Sequence, residues 1–551
     1  MALDKRRLAR RDMIKYGGVI GGAMVAGCFG EVDDDDPLDD DPVDDDSVDD
    51  DDADDTVEPD DPETFVMATS QDPASIDPAR ALDELESILA TNVYDSLARY
   101  DSEFPPNIVP AVAEDWEAED STTWTFQLRD DIQFHNGDQL TADDVVYSVE
   151  RMMTIGEGMS WLWSGQMEPD AATALGDYEV EIELEQTYGP FESTLPWLFI
   201  VNEEQVEAEG DDYLEDNDAG SGPYTIEEYD RGEAIHLSRY DGWYGEFAEG
   251  SFPNARFDIT REVSTIVGDM EAGEADITDR WLPVTIYDDL DEADGVRTSE
   301  TTTFNTYFVF LNTQSPPLDD PYVRRAIAWA FDYETAMQDI LGTDDPFTSP
   351  IPEGIPFHTT DGVTQYEQDF SQAEEEIDQS EYDIEDIEFT YVYQPDIEAN
   401  SDMGLMMADQ LGEVGITVNL EEATWSRIVE ISTDVETAPD AFPLWGLIEY
   451  LDPDAYMWPH YHSSTVNTFT NGGKYEDEEV DEMLEEARRS IDEDERREIY
   501  EELQRRVADD CPAIYVANDV TRYSLSERTG GFADNGIMGY THQLQNFYED
   551  S

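Results

Sequence analysis

One segment near the start of the chain has residue types suited to a specific chemistry. The pair Arg10 and Arg11 precedes the apolar, glycine-rich residues 16–27. These 12 residues are too few to cross a bilayer of about 30 Å as a helix. The stretch ends in a Val-Ala-Gly-Cys sequence that resembles a lipobox, in which the thiol of Cys28 accepts a lipid. This order predicts a twin-arginine signal peptide over residues 1–27 and a lipidated Cys28.

Motifs for catalysis are missing from the sequence. It has no Gly-x-Ser-x-Gly, no phosphate-binding Walker loop and no His-Glu-x-x-His. Because 136 acidic residues make chance carboxylate pairs certain, a glycosidase pair cannot be recognised. His460 and His462 lack a defined third and fourth metal ligand, so we interpret them as imidazoles among aromatic residues on a strand or loop. We expect no catalytic residue, no metal and no cofactor, and therefore no enzyme.

The charge of the chain is extreme. Of its 551 residues, 136 are acidic and 28 are basic, which gives a formal net charge of −108. Such a surface repels phosphate, so nucleic-acid binding is excluded. Residues 33–61 contain 18 Asp and one Glu without a Lys or Arg, and we interpret residues 28–62 as a disordered tether that follows the lipidated cysteine. The remaining body is itself acidic, which is typical of a halophile with molar salt in its cytoplasm, where the Debye length falls to about 3 Å.

The body has the composition and patterning of a mixed α/β protein. Hydrophobic residues make up 39% of the chain, enough for a large folded core. Cys511 lies in an apolar context, and with Cys28 lipidated it has no disulfide partner, so we expect a small buried side chain. The periodicity predicts strands over 123–128, 389–393 and 416–420, helices after Thr141, from Pro321 and over 401–413, and a long amphipathic helix or helix pair over 478–508. Four arginines of the last helix, which we interpret as members of a solvated ion-pair face, are Arg488, Arg489, Arg496 and Arg497.

Several stretches together carry a resemblance to a known family. They include Trp-Thr-Phe-Gln-Leu-Arg at 124–129, Phe-His-Asn-Gly-Asp at 134–138 and Thr-Ala-Asp-Asp-Val at 141–145. The other matching stretches are 75–78, 109–116, 220–224, 240–245, 312–320, 323–326, and Tyr475, Val480, Asp481, Ala487, Glu495, Arg496 and Pro512. Residues of about 64–530 thus resemble the extracellular solute-binding proteins of family 5, the dipeptide, oligopeptide and nickel class that serves ABC importers.

This resemblance implies an α/β, two-lobed fold like that of the periplasmic binding proteins, of type II, with an additional N-terminal subdomain. Lobe I would comprise residues 63–304 plus 513–551, with the accessory subdomain at about 80–195. Lobe II would comprise residues 305–512. The implied hinge strands pass near Asn305 and Ile514, and closure around a ligand would be the state that the permease recognises.

The resemblance also points to a ligand-binding segment. Peptide-binding members have a Trp-x-x-Asp-Tyr-x-x-Pro stretch whose carboxylate takes the ligand's α-ammonium, and alignment on Tyr450 and Pro453 puts Glu449 at that position, one methylene longer. Flanking backbone would pair with a peptide as an added strand. The alternative is that Glu449 is one more acidic surface residue. The candidate ligand-binding residues are Glu449, Tyr450, Trp445, Gly446, Leu447 and Trp425, with Tyr456 as a further aromatic candidate.

The implied function is that of a monomeric receptor, lipid-anchored on the outer face of the cell membrane. It would deliver peptides to ABC permease subunits that work with a cytoplasmic ATPase. Nickel chelates, haem, opines or oligosaccharides remain alternative ligands, and the 11 Trp residues suit sugar stacking. An extracellular hydrolase has no motif in its favour, and a surface-layer protein would have repeats that are missing here.

The acidic composition gives the first testable prediction. Dilution from molar to millimolar NaCl should unfold the body, because self-repulsion among its carboxylates is then no longer screened. Circular dichroism and intrinsic fluorescence, followed during stepwise dialysis, measure this transition. A cooperative fold that persists in millimolar salt would contradict the halophilic interpretation.

Overall fold

A computed structural model describes residues 64–550 except 120, 344 and 396. The predicted signal peptide with Arg10 and Arg11, the lipidation site Cys28 and the acidic tether lie outside the described residues. Within the part that is described, no helix is both long and apolar enough to cross a membrane.

Most of the described strands form two sheets. In chain order the strands are β1 (Thr64–Thr69), β2 (Ala98–Tyr100), β3 (Ile108–Pro110), β4 (Ala113–Ala118), β5 (Thr123–Leu128), β6 (Ala172–Gly176), β7 (Glu179–Glu183), β8 (Tyr224–Asp230), β9 (Ala234–Arg239), β10 (Asn254–Ile259), β11 (Ile277–Thr278), β12 (Val296–Leu311), β13 (Glu388–Tyr393), β14 (Thr417–Glu422), β15 (Ala441–Gly446), β16 (Ala513–Ser526), β17 (Thr529–Gly530) and β18 (Tyr548–Glu549).

The helices are short apart from three of 14 to 18 residues. In chain order they are α1 (Glu84–Val93), α2 (Ala142–Ile155), α3 (Phe191–Thr194), α4 (Glu203–Glu209), α5 (Val263–Ala272), α6 (Val284–Asp291), α7 (Pro321–Ala330), α8 (Tyr333–Thr335), α9 (Phe370–Ile377), α10 (Glu398–Glu413), α11 (Trp425–Ser432), α12 (Asp454–Tyr461), α13 (Glu478–Arg488) and α14 (Glu493–Asp510). Short 3-10 helices and a π-helix at Ala336–Leu341 lie between these elements in the described chain.

The main sheet has ten strands in the order β14-β13-β15-β12-β16-β11-β1-β10-β9-β8. Two adjacent strands near its middle are also its longest, with 16 residues in β12 and 14 in β16. They pair antiparallel from Val296–Ser526 to Phe310–Ala513, and their register shifts between Thr302 and Thr306. Beyond this irregularity β12 pairs with β15, whereas the far end of β16 pairs with β11. The two halves of the sheet are therefore joined through β12 and β16.

A separate antiparallel sheet has the order β4-β5-β7-β6 and packs on α2. Helix α2 begins where a capping box is formed: the backbone N–H of Thr141 donates to the carboxylate of Asp144 over 2.9 Å. Val145, Val149 and Met152 of α2 are buried, and they contribute to the largest hydrophobic core. This part of the chain accounts for much of the predicted accessory subdomain.

Three buried clusters hold the layers together. The largest combines side chains of β1, α1, the four-stranded sheet and α12 to α14. A second lies between β12, β13 and β15 and the helices α7 and α10, and a third lies between β1, α5 and α6. The mixed α/β class and the predicted strand–helix–strand unit are confirmed, since β13 and β14 pair in parallel on either side of α10. The long C-terminal helical pattern is a pair, α13 and α14, and Cys511 is a free, buried residue.

A buried ion pair fixes the start of the body. The guanidinium group of Arg151 on α2 donates to both carboxylate oxygens of Asp77, over 2.8 and 2.6 Å. The Asp77 side chain is 1% exposed and also accepts from the backbone N–H of Ala79. The Ser-Ile-Asp-Pro stretch of the sequence thus has a structural role, because its carboxylate anchors the segment before α1 to α2.

We predict that Asp77→Asn lowers the free energy of unfolding by about 3–5 kcal/mol, because it removes the negative charge that the buried Arg151 contacts through both carboxylate oxygens. Urea unfolding at molar NaCl measures the change. Glu157→Gln, which removes one of the two carboxylate partners of the half-exposed Arg80 and leaves Asp77 in place, is the matched control and should cost less than about 1 kcal/mol. Equal losses in both variants would contradict the assigned role of the buried pair.

Candidate functional site

A cavity of about 290 Å³ lies between the two parts of the chain that meet across the central strands. Carboxylate, guanidinium, imidazole and aromatic groups all line it. One wall is formed by residues 71, 82–84, 159, 161, 162, 164, 280, 281 and 538, and the other by residues 444–447, 449, 450, 455, 458–460, 465, 468–470 and 488. A chamber of this kind, apolar with a few polar groups directed into it, is typical of a small-ligand site.

Glu449 carries the most unusual charge in this cavity. Its residue is 7% exposed, and within the described chain no arginine, lysine or histidine lies within 4.0 Å of its carboxylate. Burial raises the pKa of Glu449 from 4.5 to about 7, against a smaller opposing effect of its own backbone N–H. The cavity therefore holds a carboxyl group that a cation would stabilise in its charged form. The alternative that Glu449 is an ordinary surface acid is wrong.

Two side chains from a distant part of the chain, neither of which lines the cavity, hold the backbone around Glu449. The indole Nε1 of Trp197 donates to the carbonyl oxygen of Glu449 over 2.5 Å. The backbone N–H of Leu451 donates to the hydroxyl of Tyr100 over 3.0 Å, and that hydroxyl donates to the carbonyl of Ser193. The bonds of Trp197 and Leu451 join residues that are about 250 to 350 positions apart, so they connect the Glu449 segment to a distant part of the chain.

Two buried ion pairs fix the segment that follows. Asp452 accepts from Arg496 over 2.8 Å, and Asp454 accepts from Arg488 over 2.9 Å. Arg488 also lies 3.9 Å above the ring of Trp458, at cation–π distance. The interpretation of a solvated arginine face is wrong for Arg488 and Arg496, because their carboxylate partners come from α12 and the loop before it rather than from neighbouring glutamates.

The other two arginines of that group behave differently. Arg489 is 56% exposed and pairs with Glu485 one turn earlier, as the helical spacing predicts. Arg497 lies 4.8 Å above the ring of Phe357. Sequence spacing gives the neighbours along one helix, but the residues from distant segments that cover this helix can be identified only from the structure.

The predicted aromatic and backbone residues have separate roles. Trp445, Gly446, Leu447 and Tyr450 all line the cavity together with Glu449. The hydroxyl of Tyr450 donates to Asp454 over 3.0 Å, so it supports the wall rather than offering a free hydroxyl. At Gly446 a Cβ atom would lie 2.9 Å from both Phe308 and Thr306, so only glycine fits.

Two predicted aromatic residues take part indirectly. Trp425 does not line the cavity, but its ring packs edge-on against Phe469, which does, at a centroid distance of 5.4 Å. Tyr456 is buried behind Gly446 and donates to the carbonyl oxygen of Phe304 on β12. Both therefore support the wall rather than contact the cavity.

The prediction of a strand or loop is wrong for His460, which lies on α12, and holds for His462, which follows the last residue of that helix in an extended conformation. His460 is on α12 and lines the cavity; its Nδ1 is 2.7 Å from the carbonyl oxygen of Thr470, and burial lowers its pKa to about 4. His462 instead stacks on Trp458 at 3.8 Å. In the described residues one His–carboxylate group is close enough to hold an ion, namely Glu228, Asp230 and His236 on β8 and β9, and none of these lines the cavity.

The single lysine of the body, Lys474, fastens one wall from behind. It is fully buried in the left-handed region at φ +49°, and its Nζ donates to the carbonyl oxygens of Ser432, Val466 and Thr468 over 2.5 to 2.9 Å. Burial lowers the pKa of Lys474 to about 8. These bonds satisfy three carbonyl groups behind the loop at residues 465–470.

Sequence reasoning missed most of the wall opposite Glu449. Glu84, Arg280 and Trp281 lie there, and Trp197 and Tyr100 stabilise the contact between the walls. Glu84 could not be distinguished among 136 acids. The useful signal was the scarcity of cations: with 28 basic residues in the chain, an arginine in an apolar context such as Arg280 is a candidate for a specific role.

The sequence is similar to those of known binding proteins. The family model described as bacterial extracellular solute-binding proteins, family 5 Middle, matches residues 107–468. The probable D,D-dipeptide-binding periplasmic protein DdpA of Escherichia coli is 26% identical over 491 residues, which is 86% of this chain and 92% of that protein. Heme-binding protein A of Haemophilus influenzae is 24% identical over 503 residues, 86% of this chain and 90% of that protein.

Solved structures agree with the fold. The periplasmic binding protein DppA of Helicobacter pylori, in complex with the peptide STSA, superposes with a TM-score of 0.71 at 21% identity. The superposition covers 89% of this chain and 98% of that one. The predicted two-lobed fold of type II is thereby confirmed. Because the family model covers well over half of the sequence, the chain belongs to the extracellular solute-binding proteins of family 5.

Proposed function

We propose that this protein is the receptor of an ABC importer and that it captures peptides with a free amino end in the cavity around Glu449. The observation that carries this proposal is the buried Glu449 carboxyl, which faces the cavity without a cationic partner among the described residues. An α-ammonium group supplies the missing charge and can donate hydrogen bonds to it. A buried charge pair of this kind keeps its strength at molar salt, whereas an exposed pair loses most of it.

Recognition of the peptide backbone would use the segment that precedes Glu449. Strand β15 ends at Gly446, and residues 447–449 continue along the cavity wall. A bound peptide running beside them would add a short strand, as extended peptides do at exposed sheet edges. The aromatic rings of Trp445, Trp458 and Trp161 would then contact its side chains.

Capture would involve closure of two lobes, residues 63–304 plus 513–551 and residues 305–512. The register shift of β12 and β16 between Thr302 and Thr306 supports a hinge at this position, because a ladder of hydrogen bonds is interrupted there. A ligand that contacts both walls stabilises the closed state by its differential contacts. The closed, loaded, monomeric receptor would be the form that the permease subunits and their cytoplasmic ATPase accept.

Export and anchoring belong to the same proposal. The order of Arg10, Arg11 and Cys28 supports twin-arginine export followed by lipidation, and the acidic residues 33–61 would hold the body away from the outer face of the membrane. The charge of −108 supports a halophilic source. Release of the ligand unmodified, without catalysis, follows from the receptor role.

We predict that Glu449→Gln weakens the binding of a free-amine peptide by about 100-fold or more, because the ammonium group loses its buried counter-charge. Isothermal calorimetry at molar NaCl, with a dipeptide and its N-acetylated form as probes, measures this. Glu430→Gln, an exposed carboxylate paired with Arg427, is the control and should bind like the wild type. Unchanged affinity in Glu449→Gln would exclude the assignment, and selective binding of a haem, nickel-chelate or sugar probe would favour those alternatives.

The raised pKa of Glu449 also predicts a pH dependence. Below pH about 7 the empty site is protonated, so the ammonium group must displace a proton, and affinity should rise up to about tenfold per unit from pH 5 to 7 and then level off. The same shift means that the unliganded fold loses stability as pH rises from about 4.5 to 7, since the native state then holds the extra proton. Calorimetry in buffers of different ionisation enthalpy should detect nearly one proton released at pH 6. Proton release that persists in Glu449→Gln would refute this origin.

A further inference from the structure

Arg280 lines the cavity with a guanidinium group whose N–H donors have no acceptor in the described chain. Its side chain is 9% exposed, and its Nε is fully buried without a hydrogen-bond partner. A guanidinium group has five N–H donors, and buried donors that stay unpaired are rare because each one costs free energy. Arg280 is therefore built to receive an acceptor that the described part of the protein does not supply.

The ion pair with Glu84 fixes Arg280 in place but leaves its donors free. Arg280 Nε lies 3.0 Å from Glu84 Oε1, yet the direction of this contact is not that of a hydrogen bond. The other oxygen of Glu84 accepts from Trp281 Nε1 over 2.8 Å and from Gln71 Nε2 over 3.1 Å. The guanidinium group also lies 4.7 Å above the ring of Trp281, which covers one of its faces. Because its N–H groups lie in the guanidinium plane, this stacking leaves them available.

Arg280 keeps its positive charge in this environment. Burial disfavours the charged form, but the charge of Glu84 and those of the acids Asp534 and Asp519 outweigh this effect, so the pKa of Arg280 lies above its usual value. Asp534 and Asp519 do not line the cavity. A ligand in the cavity therefore meets a charged guanidinium group that has one neighbouring carboxylate on the cavity wall, that of Glu84.

The other arginine of the cavity, Arg488, is less available. It donates to Asp454 over 2.9 Å, and its guanidinium group lies 3.9 Å above the ring of Trp458. Its Nε is buried without a partner, so it has one donor to add to a ligand. Arg488 lies on the same wall as Glu449, whereas Arg280 lies on the opposite wall. Arg280 is thus the cation that a ligand meets across the cavity from Glu449.

The two walls present groups of opposite charge to the cavity. Glu449 is a carboxyl group without a cationic partner in the described chain, and Arg280 is a guanidinium group without a hydrogen-bond acceptor there. The cavity volume of about 290 Å³ is at the lower end of the range for small-ligand sites, so both charged ends of a short ligand would lie inside it. A carboxylate fits the planar fork of a guanidinium group through two parallel hydrogen bonds.

We propose that Arg280 binds a ligand carboxylate and that the cavity takes short zwitterionic peptides, with the ammonium group at Glu449 and the carboxylate at Arg280. Because these two residues belong to different proposed lobes, such a ligand would link the lobes through its two charges. This inference rests on the proposed function, since it assumes that Glu449 binds the amino end of a peptide. It deepens that function by naming the ligand class and a second specificity-determining residue.

The test uses calorimetry at molar NaCl with three probes: alanyl-leucine, alanyl-leucinamide and alanyl-isoglutamine. The last carries its carboxylate on the side chain, because its α-carboxyl group is amidated. The wild type should bind alanyl-leucine about tenfold or more tightly than alanyl-leucinamide, because only the free acid provides an acceptor for Arg280. Tight binding of alanyl-isoglutamine instead of alanyl-leucine would identify an acidic side chain as the source of the carboxylate.

Arg280→Gln is the decisive variant. The preference for a carboxylate probe should disappear, because its affinity falls to about that of alanyl-leucinamide, whereas the affinity for alanyl-leucinamide stays at the wild-type value. Arg427→Gln, which removes an exposed arginine that pairs with Glu430 and does not line the cavity, is the charge-matched control. It should retain the wild-type preference.

A double variant keeps the test informative if Arg280→Gln fails to fold, as judged by circular dichroism. Glu84→Gln/Arg280→Gln removes both charges of the pair together, so no carboxylate is left buried without its counter-charge. The double variant should also lose the preference for a carboxylate probe, since the guanidinium donors are missing. A preference that survives in either variant would show that Arg280 does not bind the carboxylate.

The remaining outcomes separate the two proposals. If neither carboxylate probe binds the wild type more tightly than alanyl-leucinamide, while Glu449→Gln still weakens binding, this inference is overturned and the peptide receptor stands. Failure of the wild type to bind any of the three probes, or binding of all three that is unaffected by Glu449→Gln, overturns the proposed function, and the inference falls with it.

Discussion

The site depends on a carboxyl group that the protein buries without a counter-charge. Removing a carboxylate from water is costly, and a fold normally offsets this cost with an arginine or with several N–H donors. At Glu449 the offset by protein groups is small, so its pKa rises to about 7. The structure tolerates this because Trp197, Tyr100 and two ion pairs fix the surrounding backbone. A cationic ligand therefore gains binding energy by offsetting a burial cost that the protein already has before the ligand binds.

The second constraint is the small number of cations. With 28 basic residues for 136 acids, charge balance cannot be reached on the surface, and exposed pairs contribute little at high ionic strength. The buried guanidinium groups are instead used where a specific geometry is needed: Arg151 with Asp77, Arg488 with Asp454, Arg496 with Asp452 and Arg280 with Glu84. Lys474, the one lysine of the body, is likewise buried and bonded to carbonyl groups.

Local sequence patterns predicted local structure well. The capping box at Thr141, the helix from Pro321 and the strand–helix–strand unit of β13, α10 and β14 follow from spacing over fewer than 40 residues. The candidate segment at 445–450 came from a family resemblance, and the structure places it on the cavity wall. The opposite wall could not be predicted, because Glu84, Arg280 and Trp281 reach the site only through packing of distant strands. Buried and exposed arginines of one helix have the same sequence pattern, which explains the wrong interpretation of Arg488 and Arg496.

Burial of Glu449 also links ligand binding to closure on the proposed hinge. In an open cleft its carboxylate would be hydrated, and closing an empty cleft would remove that water without supplying a cation. In the closed state without a ligand, Glu449 must then either stay charged or take up a proton. At neutral and higher pH both options raise the free energy of that closed state. A ligand with an ammonium group removes this cost, so its contribution to closure is largest where the free carboxylate is most costly to bury. A neutral ligand of the same shape would contact both walls but would not offset the cost of burying the Glu449 carboxylate. The charge of Glu449 therefore makes closure depend on a cationic ligand, in addition to contacting that ligand. This explains why a receptor with so acidic a composition would still leave this buried carboxyl group without a cationic partner.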